Sequence, residues 1–120
     1  MGTTFIADLI DCRQMLHDED SARELALRVV ERAGMTPIGE ACATVSDGFN
    51  SGATAVIVVV PLKESHLAVH TWPELSYAML DFTTCGDRDK AETAFRDLCS
   101  WFLPEEVLIH EWERLAGGEC

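Results

Sequence analysis

The spacing of apolar residues divides the chain into strands and two helices. Residues 3–11, Thr-Thr-Phe-Ile-Ala-Asp-Leu-Ile-Asp, read as a first strand. From Asp18 to Ala33 the period lengthens: Leu25, Val29 and Ala33 recur at i, i+4 and i+8, the buried stripe of a helix. Ser21-Ala-Arg-Glu24 predicts a capping box at its start, each side chain meeting the other's backbone N–H, and Gly34 a left-handed cap at its end. Met35 to Val45 reads as a strand of mixed burial. The run from Ser46 to Gly52 is dense in turn residues. Ala53 to Val60 is apolar and β-branched, which predicts a central strand covered on at least one face. Pro61 stands at its end, where a missing N–H does least harm. His66 to Trp72 and Leu75 to Thr84 are two further strands separated by Pro73. A second helix is predicted from Asp87 to Phe102, with Ala91, Ala94, Phe95, Leu98 and Phe102 on its apolar face. Pro104 stops it, and Val107 to Trp112 is a last strand.

The element order is β-α-β-β, then β-β-α-β, two halves alike in order without a residue-level repeat. The simplest solution is an α+β fold, a two-layer sandwich with a mostly antiparallel sheet and two helices on one face. No linker or low-complexity stretch interrupts the chain, so residues 1–120 are expected to form a single domain.

Charge narrows the choice of partner. The formal net charge is -12, from 21 acidic and 9 basic side chains. Nucleic acid and anionic membrane attract basic surfaces, so neither is expected here, whereas a small cationic substrate suits the balance. The apolar run from Ala55 to Leu62 is too short to span a bilayer. The start, Met-Gly-Thr-Thr-Phe-Ile-Ala-Asp, lacks a basic segment followed by a long apolar one, and Ile6 stands where a myristoylation signal wants Ser or Thr. Five cysteines, Cys12, Cys42, Cys85, Cys99 and Cys120, form no CxxC pair. An odd count without such a pair reads as free thiols in a reducing, cytoplasmic compartment.

The unusual segment is Lys63-Glu-Ser-His-Leu-Ala-Val-His-Thr-Trp-Pro-Glu74. On a strand, His66, Ala68 and His70 share one face, while Ser65, Leu67, Val69 and Thr71 share the other. Two histidines on one face beside a serine are costly if buried without partners. Three readings follow from the residues alone. Ser65 activated by His66 or His70 would be a hydrolase nucleophile, although no G-x-S-x-G elbow is present. His66, His70 and Cys85 would be zinc ligands, although two rings four strand residues apart are ~13 Å distant. Hydrogen-bonded histidines in a polar seam would be purely structural.

Glu64-Ser65-His66-Leu-Ala-Val-His70-Thr-Trp-Pro-Glu74 resembles the processing-site motif of the bacterial and archaeal S-adenosylmethionine decarboxylases, Glu-Ser-His followed after a short apolar stretch by His-Thr-Trp-Pro-Glu. Leu80-Asp-Phe-Thr-Thr-Cys85-Gly-Asp87 resembles that family's second block, with one residue placed differently before Cys85. The likeness covers essentially the whole chain. It implies self-cleavage between Glu64 and Ser65 into residues 1–64 (the β chain) and 65–120 (the α chain), with Ser65 becoming a covalent pyruvoyl cofactor. It implies that Ser65 Oγ attacks the Glu64 carbonyl and that His70 assists processing. It also implies that Cys85 is the proton donor of the decarboxylation and that Glu74 binds substrate. No metal is implied. His66 and Asp8 join Glu74 as substrate-facing candidates, Asp8 standing where the family usually has Glu. The resemblance further implies a homodimer of processed αβ protomers, with the active sites near the interface.

Two departures concern the substrate. Phe49 in Asp47-Gly-Phe49-Asn-Ser51-Gly52 is the substrate-binding candidate for stacking on adenine, although the family's adenine-stacking loop usually carries a proline and places its Phe differently. Ala7-Asp8-Leu9 replaces Ala-Glu-Phe. Intact processing residues beside altered substrate-reading ones leave S-adenosylmethionine as the leading substrate, with L-ornithine or L-arginine as the alternative, all three leading to polyamines. An uncleaved, non-catalytic binding or regulatory homologue is the reading from another class.

Overall fold

The structure is a computed structural model that describes residues 2–47 and 54–114. The strands are β1 (Gly2–Ile10), β2 (Cys42–Ser46), β3 (Ala55–Leu62), β4 (Ser65–Trp72), β5 (Tyr77–Thr84) and β6 (Glu106–Arg114). The helices are α1 (Glu19–Arg32) and α2 (Arg88–Trp101), and a 3-10 turn, Pro73–Leu75, joins β4 to β5. The strands form one sheet of order β2-β3-β4-β5-β1-β6, and every ladder is antiparallel. Both helices cover the same face: α1 lies over β2, β3 and β4, α2 over β1 and β5, and the helices touch each other. The expected two-layer α+β sandwich is the fold observed.

Burial along the strands follows the pleat. On β4, Leu67, Val69 and Thr71 are buried while His66, Ala68, His70 and Trp72 are half-buried on the open face. Thr71 is tolerated under the helices because its hydroxyl bonds both Val56 N–H (2.9 Å) and Val56 C=O (3.2 Å). The helix side of the sheet is filled by Phe5, Leu67, Leu80 and Phe82. The Phe95 ring of α2 sits 5.6 Å from Phe5 and 6.1 Å from Phe82, centre to centre. Each such fully buried side chain contributes roughly 1.5–3 kcal/mol, and this cluster fixes β1 and β5 beneath α2.

Two local expectations are corrected. Helix α1 is capped by Asp18, whose Oδ1 accepts from Ser21 N–H at 2.7 Å, so Ser21 lies inside the helix and does not start a capping box. The strand expected over Met35 to Val45 begins only at Cys42. Residues 35–41 instead bind the β3–β4 hairpin, through Ile38 N–H to Pro61 C=O (3.1 Å) and Lys63 N–H to Thr36 C=O (2.8 Å). The left-handed cap at Gly34 is present, with φ 71°.

Candidate active site

Strands β3 and β4 are joined by the two-residue turn Lys63-Glu64, and Ser65 is the first residue of the return strand, opposite Leu62. Three constraints meet at the Glu64–Ser65 peptide. Ser65 has φ 151°, a region that side-chain-bearing residues rarely occupy and that costs on the order of 1–3 kcal/mol. The Glu64 carbonyl accepts a hydrogen bond from Cys85 N–H at 3.1 Å, which draws electron density away from its carbon. The Glu64 carboxylate accepts from Thr36 N–H at 2.9 Å and pins the hairpin tip from the other side.

The Ser65 hydroxyl has a base within reach. Its Oγ lies 3.1 Å from His66 Nδ1. On the far side of the ring, His66 Nε2 is 3.4 Å from Asp81 Oδ1 on the neighbouring strand β5. Glu64, Ser65, His66, Cys85 and Arg114 line one cleft of about 340 Å³. A second opening of about 360 Å³ adjoins it on the open face, over His66, Asp81 and Trp112.

The remaining candidates lie at the opposite end of the same strands. The His70 ring stacks on Trp72 at 3.7 Å, and Trp72 on Tyr77 at 5.2 Å. The Tyr77 hydroxyl donates a short hydrogen bond to Asp8 Oδ1. Burial, reinforced by this bond and by the charge of Asp8, pushes the phenol up to about 12. Burial also pulls the His70 imidazole below its usual value, against the opposing charge of Glu74. The unfolded chain therefore binds a proton at His70 more readily than the folded one. Stability from this group is complete above pH 6.5, the ordinary value, and declines as the pH falls below it. Urea midpoints at pH 7.5 and 5.5 should diverge less in His70→Gln than in the parent; an unchanged difference would show that His70 does not contribute.

The structure therefore brings Glu64, Ser65, His66 and Cys85 together and keeps His70, Glu74 and Asp8 apart from them. His70 stands five positions after Ser65 on β4, a span of ~16 Å. Phe49 lies outside the described residues. Asp81, which no sequence motif singles out, joins the site, and its partnership with His66 depends on a strand register that sequence spacing does not reveal. Among the described residues no three His, Cys, Asp or Glu side chains gather to hold a metal ion. The free-thiol expectation holds for Cys12, Cys42 and Cys99. It is corrected for Cys85, whose sulfur is in a disulfide and has no proton to give in that form.

Comparison with known proteins places the whole chain beside one family. The model of the family described as S-adenosylmethionine decarboxylase matches residues 3–115. An S-adenosylmethionine decarboxylase proenzyme of Archaeoglobus fulgidus is 35% identical over 116 residues, covering 95% of this chain and 97% of the relative. An arginine decarboxylase proenzyme of Aeropyrum pernix is 35% identical over 102 residues, covering 85% of this chain and 74% of the relative. The crystal structure of the adenosylmethionine decarboxylase from Aquifex aeolicus superposes with a TM-score of 0.79 at 30% identity, covering 99% of this chain and 94% of the other.

Proposed function

The chain belongs to the S-adenosylmethionine decarboxylase family, and from that premise we propose that it is a proenzyme that cuts its own backbone between Glu64 and Ser65 and turns Ser65 into a pyruvoyl group. The observation that carries the reading is the Glu64–Ser65 junction: a strained residue, a carbonyl held by Cys85 N–H, and a hydroxyl beside an imidazole. An N→O acyl shift is uphill from an ordinary amide, and stored strain with a polarised carbonyl lowers that climb. Ser65 Oγ adds to the Glu64 carbonyl carbon, the C–N bond breaks, and an ester with a free Ser65 amine results. Loss of the Ser65 Cα proton with departure of the Glu64 carboxylate then frees residues 1–64. Hydrolysis of the resulting dehydroalanine releases ammonia and leaves the keto group on residues 65–120.

The cleft fits such a group, since Ser65 and Cys85 both line it. When formed, the group supplies a keto carbon for a substrate amine and a sink for the electrons released as CO2 departs. Cys85 in its thiol form protonates the substrate carbon, so turnover requires reducing conditions. Glu74 and Asp8 are carboxylates suited to a ribose or to a distal cation.

One chain does not complete this site by itself, because Ser65 and Cys85 are ~16 Å along the strands from the end that holds His70, Glu74 and Asp8. The sheet face away from the helices carries Val59, Met79, Leu108 and Trp112, all exposed. A second copy laid antiparallel across that face would cover these side chains and bring the His70 end of one chain to the Ser65 end of the other. We take the working enzyme to be that homodimer.

S-Adenosylmethionine is the leading substrate. Arginine is the second reading, favoured by the Aeropyrum pernix relative, which has the same 35% identity as the S-adenosylmethionine decarboxylase proenzyme of Archaeoglobus fulgidus, over 102 residues against 116. The test is intact-mass measurement after incubation in reducing buffer, followed by CO2 release from S-adenosylmethionine, arginine and ornithine in competition. Fragments 1–64 and 65–120 with a dimeric sedimentation coefficient are expected, and S-adenosylmethionine should release CO2 fastest. A single full-length mass would sink the proposal in favour of a non-catalytic homologue; faster release from arginine would reassign the substrate and leave self-processing standing.

A further inference from the structure

The geometry points to His66 as the base that starts the self-cleavage and to Asp81 as the residue that positions it. The inference rests on the self-processing reading above and assigns its first proton transfer. His66 Nδ1 is 3.1 Å from Ser65 Oγ, and Nε2 is 3.4 Å from Asp81 Oδ1. A carboxylate beside Nε2 favours the tautomer that carries its proton there, and leaves the Nδ1 lone pair facing the hydroxyl. This is the nucleophile, base and orienting-group order that acyl transfer uses on unrelated folds. His70 of the same chain, ~16 Å along β4, does not reach Ser65.

The order has a structural cause. Ser65 and His66 are consecutive residues, so on a regular strand their side chains would point to opposite faces. The Ser65 φ of 151° breaks that alternation at the hairpin, and its hydroxyl reaches the ring of its neighbour. Asp81 opposes Ala68 across the β4–β5 ladder and so lies diagonally from His66, close enough for its carboxylate to reach the ring. The strain in Ser65 thus has two effects at one peptide: it weakens the amide and delivers the nucleophile to its base.

The step balances without an added reagent. The Ser65 hydroxyl proton passes to His66 Nδ1 as Oγ bonds to the Glu64 carbonyl carbon. The carbonyl oxygen takes up the negative charge and is held by Cys85 N–H. Collapse re-forms the C=O, breaks the C–N bond, and returns the proton from His66 to the departing Ser65 nitrogen.

The experiment follows cleavage of newly synthesised proenzyme by intact mass, with and without hydroxylamine, which cuts an ester at residue 64 but not an amide. His66→Asn should slow cleavage at least about 100-fold, and hydroxylamine should release no 65–120 fragment from it, because the ester never forms. His66→Gly should be equally slow and should regain cleavage when imidazole is added. Asp81→Asn should be slower by roughly 10-fold, the low end for a half-exposed charge-assisted contact, with Asp81→Glu recovering part of the rate. His66→Asn cleaving at the parent rate, hydroxylamine releasing the fragment from that variant, or His66→Gly ignoring imidazole would each overturn the assignment. A parent chain that itself stays whole would overturn the self-processing reading as well, a result distinct from these three.

Discussion

Ser65→Ala is expected to leave a full-length, folded protein that releases no CO2 from any of the three candidate substrates. Every later event depends on one oxygen atom. Without Oγ the acyl shift has no nucleophile, the backbone stays intact, and no keto group forms on residue 65. The fold has little reason to change. Ser65 is only half-buried, its hydroxyl contacts His66, and the Glu64 carbonyl keeps its bond from Cys85 N–H. The strain at φ 151° remains, since alanine meets the same steric limit as serine. The uncleaved variant should therefore match the parent proenzyme in circular dichroism while its activity falls below detection. Intact mass and radiolabelled CO2 release are the two measurements. A cleaved, active Ser65→Ala protein would remove the pyruvoyl group from the account altogether.

Much of the fold was legible because each strand face obeys a period of two and each helix face one near four. The apolar residues Ala91, Ala94, Phe95 and Leu98 of α2 and Phe102 at its C-cap are buried as a set. The hairpin position of Ser65 could be read from the run of strand, turn and strand around Lys63-Glu64. What escaped was what depends on partners distant in sequence. Residues 35–41 have strand-like composition, but the hairpin they clamp occupies their backbone groups. The cap of α1 passed to Asp18 because its carboxylate, three residues before Ser21, reaches the first free N–H groups. Asp81 gained meaning only through the register of β4 on β5, since a slip of one residue would turn it to the other face. His70 illustrates a different limit. The motif names it, yet strand geometry puts it ~16 Å from Ser65 in the same chain. A site built across two copies, as in the homodimer proposed above, would leave no signal in the spacing of one.

Cys85→Ser should separate making the cofactor from using it. The part of Cys85 that touches the scissile peptide is its backbone N–H, which the substitution retains, so cleavage into 1–64 and 65–120 should continue. In the proposed reaction the side chain has the other task, returning a proton to the carbon that has lost CO2. A thiol ordinarily titrates near 8.5, whereas an alcohol is a far weaker acid. Loss of a positioned general acid typically lowers rate by about 10²–10⁴-fold, and turnover by the cleaved variant should fall within that range. The disulfide state of Cys85 adds a control internal to the same experiment. Withholding reductant should depress turnover of the parent, because a disulfide sulfur carries no proton, and should leave the residual activity of Cys85→Ser unchanged. Intact mass establishes that both proteins are cleaved, and single-turnover CO2 release with amine product quantified gives the rates. Full turnover by cleaved Cys85→Ser would reduce Cys85 to a backbone donor at the Glu64 carbonyl and would require another acid on the cleft wall.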